Sequence, residues 1–120
     1  MNQNSFKPYV ESELPAGFKY PDSYLKLSKN LEVLRSIHYF PWWFSDAEKS
    51  LKEEMEIYYN LTGQKDLIEF ARDGDWGAFF DANDHSGDPK VLVYDLGNRE
   101  NHYEATDFDS WLNFVIKKNN

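Results

Sequence analysis

The chain contains no cysteine, which excludes disulfides, thiolate nucleophiles and Cys-ligated zinc and fits a reducing compartment. Long hydrophobic runs are also missing. No window approaches the roughly 18 continuous apolar residues of a membrane span, and the opening Met1-Asn-Gln-Asn-Ser-Phe-Lys7 lacks the apolar stretch of a secretory signal. A cytoplasmic protein without a membrane partner is the expectation. Positive charge is scarce: 13 Lys and Arg stand against 21 Asp and Glu, a formal net of −8. Direct nucleic-acid binders neutralise phosphates with clustered basic side chains, so that class is disfavoured. The acidity favours a basic protein partner or simply keeps the chain soluble. No GxxxxGK[ST] or GxGxxG run offers a phosphate cradle, and no HExxH or GxSxG marks a metalloprotease or a serine hydrolase.

What is present is aromatic and acidic. Aromatic residues make up 18% of 120 residues, enough for one well-filled core in one domain. The most informative stretch is Leu67-Ile-Glu-Phe-Ala-Arg-Asp-Gly-Asp-Trp-Gly-Ala-Phe-Phe-Asp81, echoed by Lys90-Val-Leu-Val-Tyr-Asp-Leu96. An Asp-Gly pair between two apolar runs is a hairpin signal, because glycine reaches positive φ without steric cost. From Glu69 to Asp88 there are six acidic residues and one basic, so most of the net charge falls on this segment.

Local signals order the remaining elements. Residues 1–13 are polar and expected to form a flexible N-terminal segment, with the folded domain spanning 14–120. Pro21 and Asp22 open a short helix with Tyr24, Leu25 and Leu27–Ser28 on its apolar face, ended by Lys29-Asn30. A less regular stretch follows to Ile37. His38-Tyr-Phe-Pro-Trp-Trp-Phe44 holds five aromatics among residues 39–44, and Pro41 restricts it to an edge strand or extended segment. Ser45 with Glu48 reads as a capping box for a helix carrying Leu51, Met55, Tyr58 and Leu61–Thr62 and stopping at Gly63. Strands are predicted at 66–72, 76–81, 90–95 and 102–105. In the third of these both faces are apolar, which predicts a central strand covered on both sides. Thr106 with Asp109 reads as a second capping box. Phe108, Trp111, Leu112 and Val115 form the inward stripe of the closing helix. The order predicts an α+β domain, an antiparallel β-meander packed against helices.

Candidate chemistry is thin. Asp81-Ala-Asn-Asp-His-Ser-Gly-Asp88 has oxygen ligands at alternating spacing, but it lacks the glycine and the bidentate Glu of a calcium loop. A solvated hairpin loop accounts for it. An enzyme reading would use His85 with Asp81, Asp84 or Asp88, yet nothing at metal-ligand spacing supports it. No catalytic residue, metal or cofactor is expected. Trp42 and Trp43 are either core or a binding hot spot. In an extended segment their side chains diverge, so at least one faces away from the core. Trp76 beside Asp73 and Asp75 would suit an Arg-bearing partner through charge and cation–π contact.

Three motifs in order resemble the SUKH superfamily, which includes fungal cell-wall-synthesis regulators and bacterial immunity proteins. Leu14-Pro-Ala-Gly-Phe-Lys-Tyr-Pro-Asp-Ser-Tyr-Leu25 resembles its opening helix, and Phe70-Ala-Arg-Asp-Gly-Asp-Trp-Gly-Ala-Phe-Phe-Asp81 its central hairpin. Val91-Leu-Val-Tyr-Asp95 with Ala105-Thr-Asp-Phe-Asp-Ser-Trp-Leu112 is similar to its closing strand and helix. The chain departs from the pattern at Lys29-Asn30-Leu31, where the family usually has a glycine pair, and at Asp75-Trp76, where small residues are usual. The resemblance implies an α+β fold and an immunity protein that binds and neutralises a toxin domain, often a nuclease, without catalytic residues of its own. The expected partner contacts are Asp73, Asp75, Trp76, Asp81, Asp84 and Asp88, with Trp42 and Trp43 as a second patch. The alternative is a regulatory or scaffold module of the same fold with no toxin partner.

Overall fold

Cap chemistry sets the helices. The computed structural model describes residues 3–37 and 39–119; Met1, Asn2, His38 and Asn120 lie outside the described residues. Helix α1, Asp22–Lys29, starts behind Pro21, whose fixed extended geometry prepares the first turn, and it buries Tyr24, Leu27 and Ser28. Leu25, expected on the same face, is exposed. A single helical turn, α2 (Glu32–Arg35), falls within the irregular stretch. The chain then extends into a two-residue strand, β1 (Trp43–Phe44).

Helix α3, Leu51–Thr62, starts later than the Ser45–Glu48 signature predicts. Its N-cap is Ser50, whose Oγ accepts the Glu53 N–H at 3.2 Å. Ser45 is held elsewhere: its N–H donates to the Phe70 carbonyl at 2.9 Å, continuing the β1 pairing, and its Oγ donates to Glu69 Oε1 at 2.7 Å. A serine engaged in a sheet cannot also cap a helix. Similarly, α4 (Phe108–Asn119) is capped by Asp107, which accepts the Ser110 N–H at 2.8 Å, rather than by Thr106. Phe108, Trp111 and Val115 are buried along the predicted stripe.

The remaining strands are β2 (Leu67–Asp73), β3 (Trp76–Asp81), β4 (Val91–Asp95) and β5 (His102–Ala105). They form one antiparallel sheet in the order β1-β2-β3-β4-β5, and the fold is α+β as the sequence predicts. The middle strand is β3, whereas β4 lies next to the β5 edge. Both faces of β4 are nevertheless covered. Val91 and Val93 are buried in the main core, and Leu92 and Tyr94 pack on a second cluster of Tyr58, Leu67 and Phe79 under α3.

The tip of the β2–β3 hairpin is two residues, Gly74 and Asp75, closed by the Asp73–Trp76 pair. Gly74 takes φ +59, which a side chain would oppose. Gly77 answers a different need: a Cβ there would stand 2.9 Å from Phe79 Cζ.

The main core is an aromatic lattice on the first face of the sheet. Phe70 and Phe80 stack at 4.3 Å between ring centroids, and Trp111 meets Phe70 edge-on at 4.9 Å. A register shift between Glu69 and Ala71 interrupts the β2–β3 ladder. One extra residue is accommodated there, so Phe70 and Ala71 both join the main core. Beyond the bulge the alternation is inverted. Arg72 comes to Glu69 on the α3 side, with Nη1 at 3.7 Å from Oε2, and Asp73 turns to the side of Trp76 and Tyr103.

The N-terminal segment, expected to be loose, is part of the core. Gln3 and Phe6 are buried, and Phe6 stacks on Phe44 at 4.8 Å. The Phe6 N–H donates to the Ser28 carbonyl, and the Leu31 N–H to that of Asn4. The short strand β1 leaves Phe44 short of backbone partners, and this segment supplies them. Among the described residues no helix is long and apolar enough to cross a membrane.

Candidate functional site

Of the expected contacts, Trp42, Asp73 and Trp76 converge on one groove of about 430 Å³ at the hairpin end of the sheet, closed by Tyr103, Phe114 and Lys118. The bulge turns Asp73 to this side, and the last turns of α4 form the wall. Trp42 is not a free contact: it is buried and meets Trp111 edge-on at 5.3 Å. Trp76 is half-buried with its ring 6.0 Å from that of Tyr103. Tyr103 lies 5.5 Å from Phe114, which is exposed. Lys118 Nζ sits 5.9 Å above the Phe114 ring. Burial raises the Asp73 carboxyl above its ordinary range, against the pull of Lys118. Burial likewise raises the Tyr103 phenol; the Trp111 indole N–H opposes that rise and Asp73 adds to it.

Asp75 is exposed at the hairpin tip beside the β4–β5 turn. Trp43 is also exposed, but it pairs with Arg72 across β1–β2 and so points to the opposite face from Trp42. The two tryptophans therefore do not form one patch.

Asp81, Asp84 and Asp88 lie at the other end of β3, about 17 Å away at about 3.3 Å per residue. The five aspartates expected at the partner surface are thus two sets, Asp73 with Asp75 and Asp81 with Asp84 and Asp88, rather than one surface. Asp81 and Asp84 are committed to their own loop. Asp81 Oδ1 accepts the Asn83 N–H at 2.9 Å, and Asp84 accepts the N–H groups of Ser86 and Lys90 at 3.0 and 2.9 Å. Hydrogen bonding, led by the Ser86 hydroxyl, holds the Asp84 carboxyl below its ordinary range. Asp88 is exposed, and so is His85, although its ring leans on Gly17. Among the described residues no three or more His, Asp or Glu are grouped to hold a metal ion.

A second polar cluster escaped the sequence reading. Glu69, with its side chain only 10% exposed, takes the Ser45 hydroxyl bond and the Arg72 contact beneath α3. It lines a water-sized cavity of about 10 Å³ with Tyr9 and Glu54. The Glu54 carboxyl is raised by burial and then by Glu69, and the Tyr58 phenol by burial and then by Glu69. The available signal was a lone acid between Ile68 and Phe70. Its partners are Arg72 on its own strand, Ser45 at the end of β1 and the α3 side chains Glu54 and Tyr58, so this cluster ties β1, β2 and α3 together.

Comparison with known proteins finds no matching family model, no matching curated protein and no matching solved structure.

Proposed function

We propose that this chain is an immunity-type binding protein of the SUKH kind, which neutralises a basic toxin domain by occupying it. The observation that carries this reading is the gathering of Asp73, Asp75, Trp76 and exposed Phe114 at the hairpin end of the sheet. Charge at a rim steers encounter, and aromatic anchors slow dissociation, so one surface supplies both rate and lifetime. The net charge of −8 extends the attraction beyond the contact itself. Asp75 and Trp76 carry the contact, with Asp73 behind them. Asp81 and Asp84 shape a distant loop and are left out of it. No chemistry on the toxin is required, since a protein seated over an active site inhibits by exclusion.

The test is a pulldown from the native cell with the tagged protein, eluted by stepwise salt. A basic protein released as salt rises, toxic when expressed alone and harmless when co-expressed with this chain, supports the reading. Recovery of a non-toxic housekeeping protein instead supports a regulatory module of the same fold.

A further inference from the structure

Resting on the binding-protein reading, we infer that the groove between β3, β5 and α4 receives an arginine side chain of the partner. Three rings bound it in sequence, Trp76 to Tyr103 at 6.0 Å and Tyr103 to Phe114 at 5.5 Å. Its volume of about 430 Å³ falls within the roughly 300–1,000 Å³ of small-ligand sites. Flat rings with a carboxylate at one end suit a planar guanidinium, which stacks and hydrogen-bonds at once, better than a compact ammonium. Asp73 supplies that carboxylate inside the groove and Asp75 a second charge just outside it, against the single Lys118. Lys118 is the resident cation, with Nζ 5.9 Å from the Phe114 ring centroid and its charge felt at Asp73. An incoming guanidinium displaces it, and its long exposed side chain can swing into solvent.

The opposed charges give the test two signs. The full chain, labelled with ¹⁵N at low salt, is titrated with N-acetyl-arginine-N-methylamide. The matching lysine compound and the neutral isosteric citrulline compound serve as controls. The Trp76 indole resonance is assigned by its loss in Trp76→Phe. A saturable shift of that resonance with the arginine compound, weaker with lysine and absent with citrulline, is expected. Asp73→Asn should weaken binding about fivefold, equivalent to about 1 kcal/mol, and Lys118→Gln should strengthen it. Thermal unfolding of each variant establishes that it is folded. No saturation at Trp76 up to the solubility of the probe overturns the inference. So does a citrulline or lysine response equal to that of arginine, or weaker binding by Lys118→Gln. The titration uses no toxin, so its failure leaves the immunity reading to the co-expression experiment.

Discussion

The carboxamide of Gln3 closes a hydrogen-bonded ring with the backbone of Phe44. Its Nε2 donates to the Phe44 carbonyl at 2.7 Å, and its Oε1 accepts the Phe44 N–H at 2.9 Å. The side chain thus takes the place of another strand along β1, on the edge that faces away from β2. An open edge of this kind is a template for unwanted pairing, and here one amide occupies it. Gln3→Ala leaves both groups buried without a partner, at about 1–3 kcal/mol for each such group. We expect a loss of about 2 kcal/mol or more in urea unfolding. A loss below about 0.5 kcal/mol, the range of ordinary surface substitutions, would show that water satisfies Phe44 as well as Gln3 does.

Ser50 takes the capping role that sequence pattern suggests for Ser45, and aspartate substitution separates the two. Asp is as good an N-cap as Ser, so Ser50→Asp should leave stability nearly unchanged, whereas Ser50→Ala should lose about 1 kcal/mol. Ser45→Asp replaces a donor to the buried Glu69 with a second carboxylate. It should destabilise more than Ser45→Ala. Equal stability for Ser45→Asp and the parent in thermal unfolding would refute this assignment.

Asp84 and Asp73 should move stability in opposite directions with pH. The folded Asp84 carboxyl is lowered, mainly by its hydrogen bonds, so its contribution is complete above the unfolded value of about 3.9 and fades as pH falls through the folded value. Asp84→Asn should therefore cost most at neutral pH and nothing in strong acid. Asp73 is raised by burial, so the folded state holds its proton more tightly and stability declines as pH rises between the unfolded and folded values. Asp73→Asn should be more stable than the parent at neutral pH, with the gap closing below about pH 4. Thermal melts across the acid range check both, and a common direction for the two variants would contradict them.

Charge reversal distinguishes the two ends of β3. Asp75→Lys, at the hairpin tip, should slow association with the proposed basic partner at low salt by several fold, an effect that fades as salt rises. Asp88→Lys, at the far end, should change it little. Equal effects would mean that overall charge rather than the hairpin end steers the partner. Biolayer interferometry at two ionic strengths gives the comparison.

Much of the fold is written in short-range chemistry. Gly74 between two apolar runs specifies the hairpin, and the periodic apolar positions of α3 and α4 specify helices. These features depend on backbone preference and spacing, which neighbouring residues fully express. The candidate site depended on more. Asp73 would face α3 if β2 alternated strictly. The bulge between Glu69 and Ala71 turns it to the aromatic side and leaves Arg72 with Glu69. The five aspartates from Asp73 to Asp88 are neighbours in sequence, but the length of β3 holds them at opposite ends, and Glu69 lies apart from both beneath α3. Ser45 lost its cap role to a partner 24 residues away, and Gln3 found its own 41 residues away. Composition, the β2–β5 strand positions, the existence of α1, α3 and α4, and the antiparallel α+β class were determined by the sequence itself, whereas the start of α3 was not. Which side chains share a surface was decided only in the tertiary structure, because the bulge is set by strand register rather than by any residue pattern, and the occupied sheet edge by pairing between distant segments.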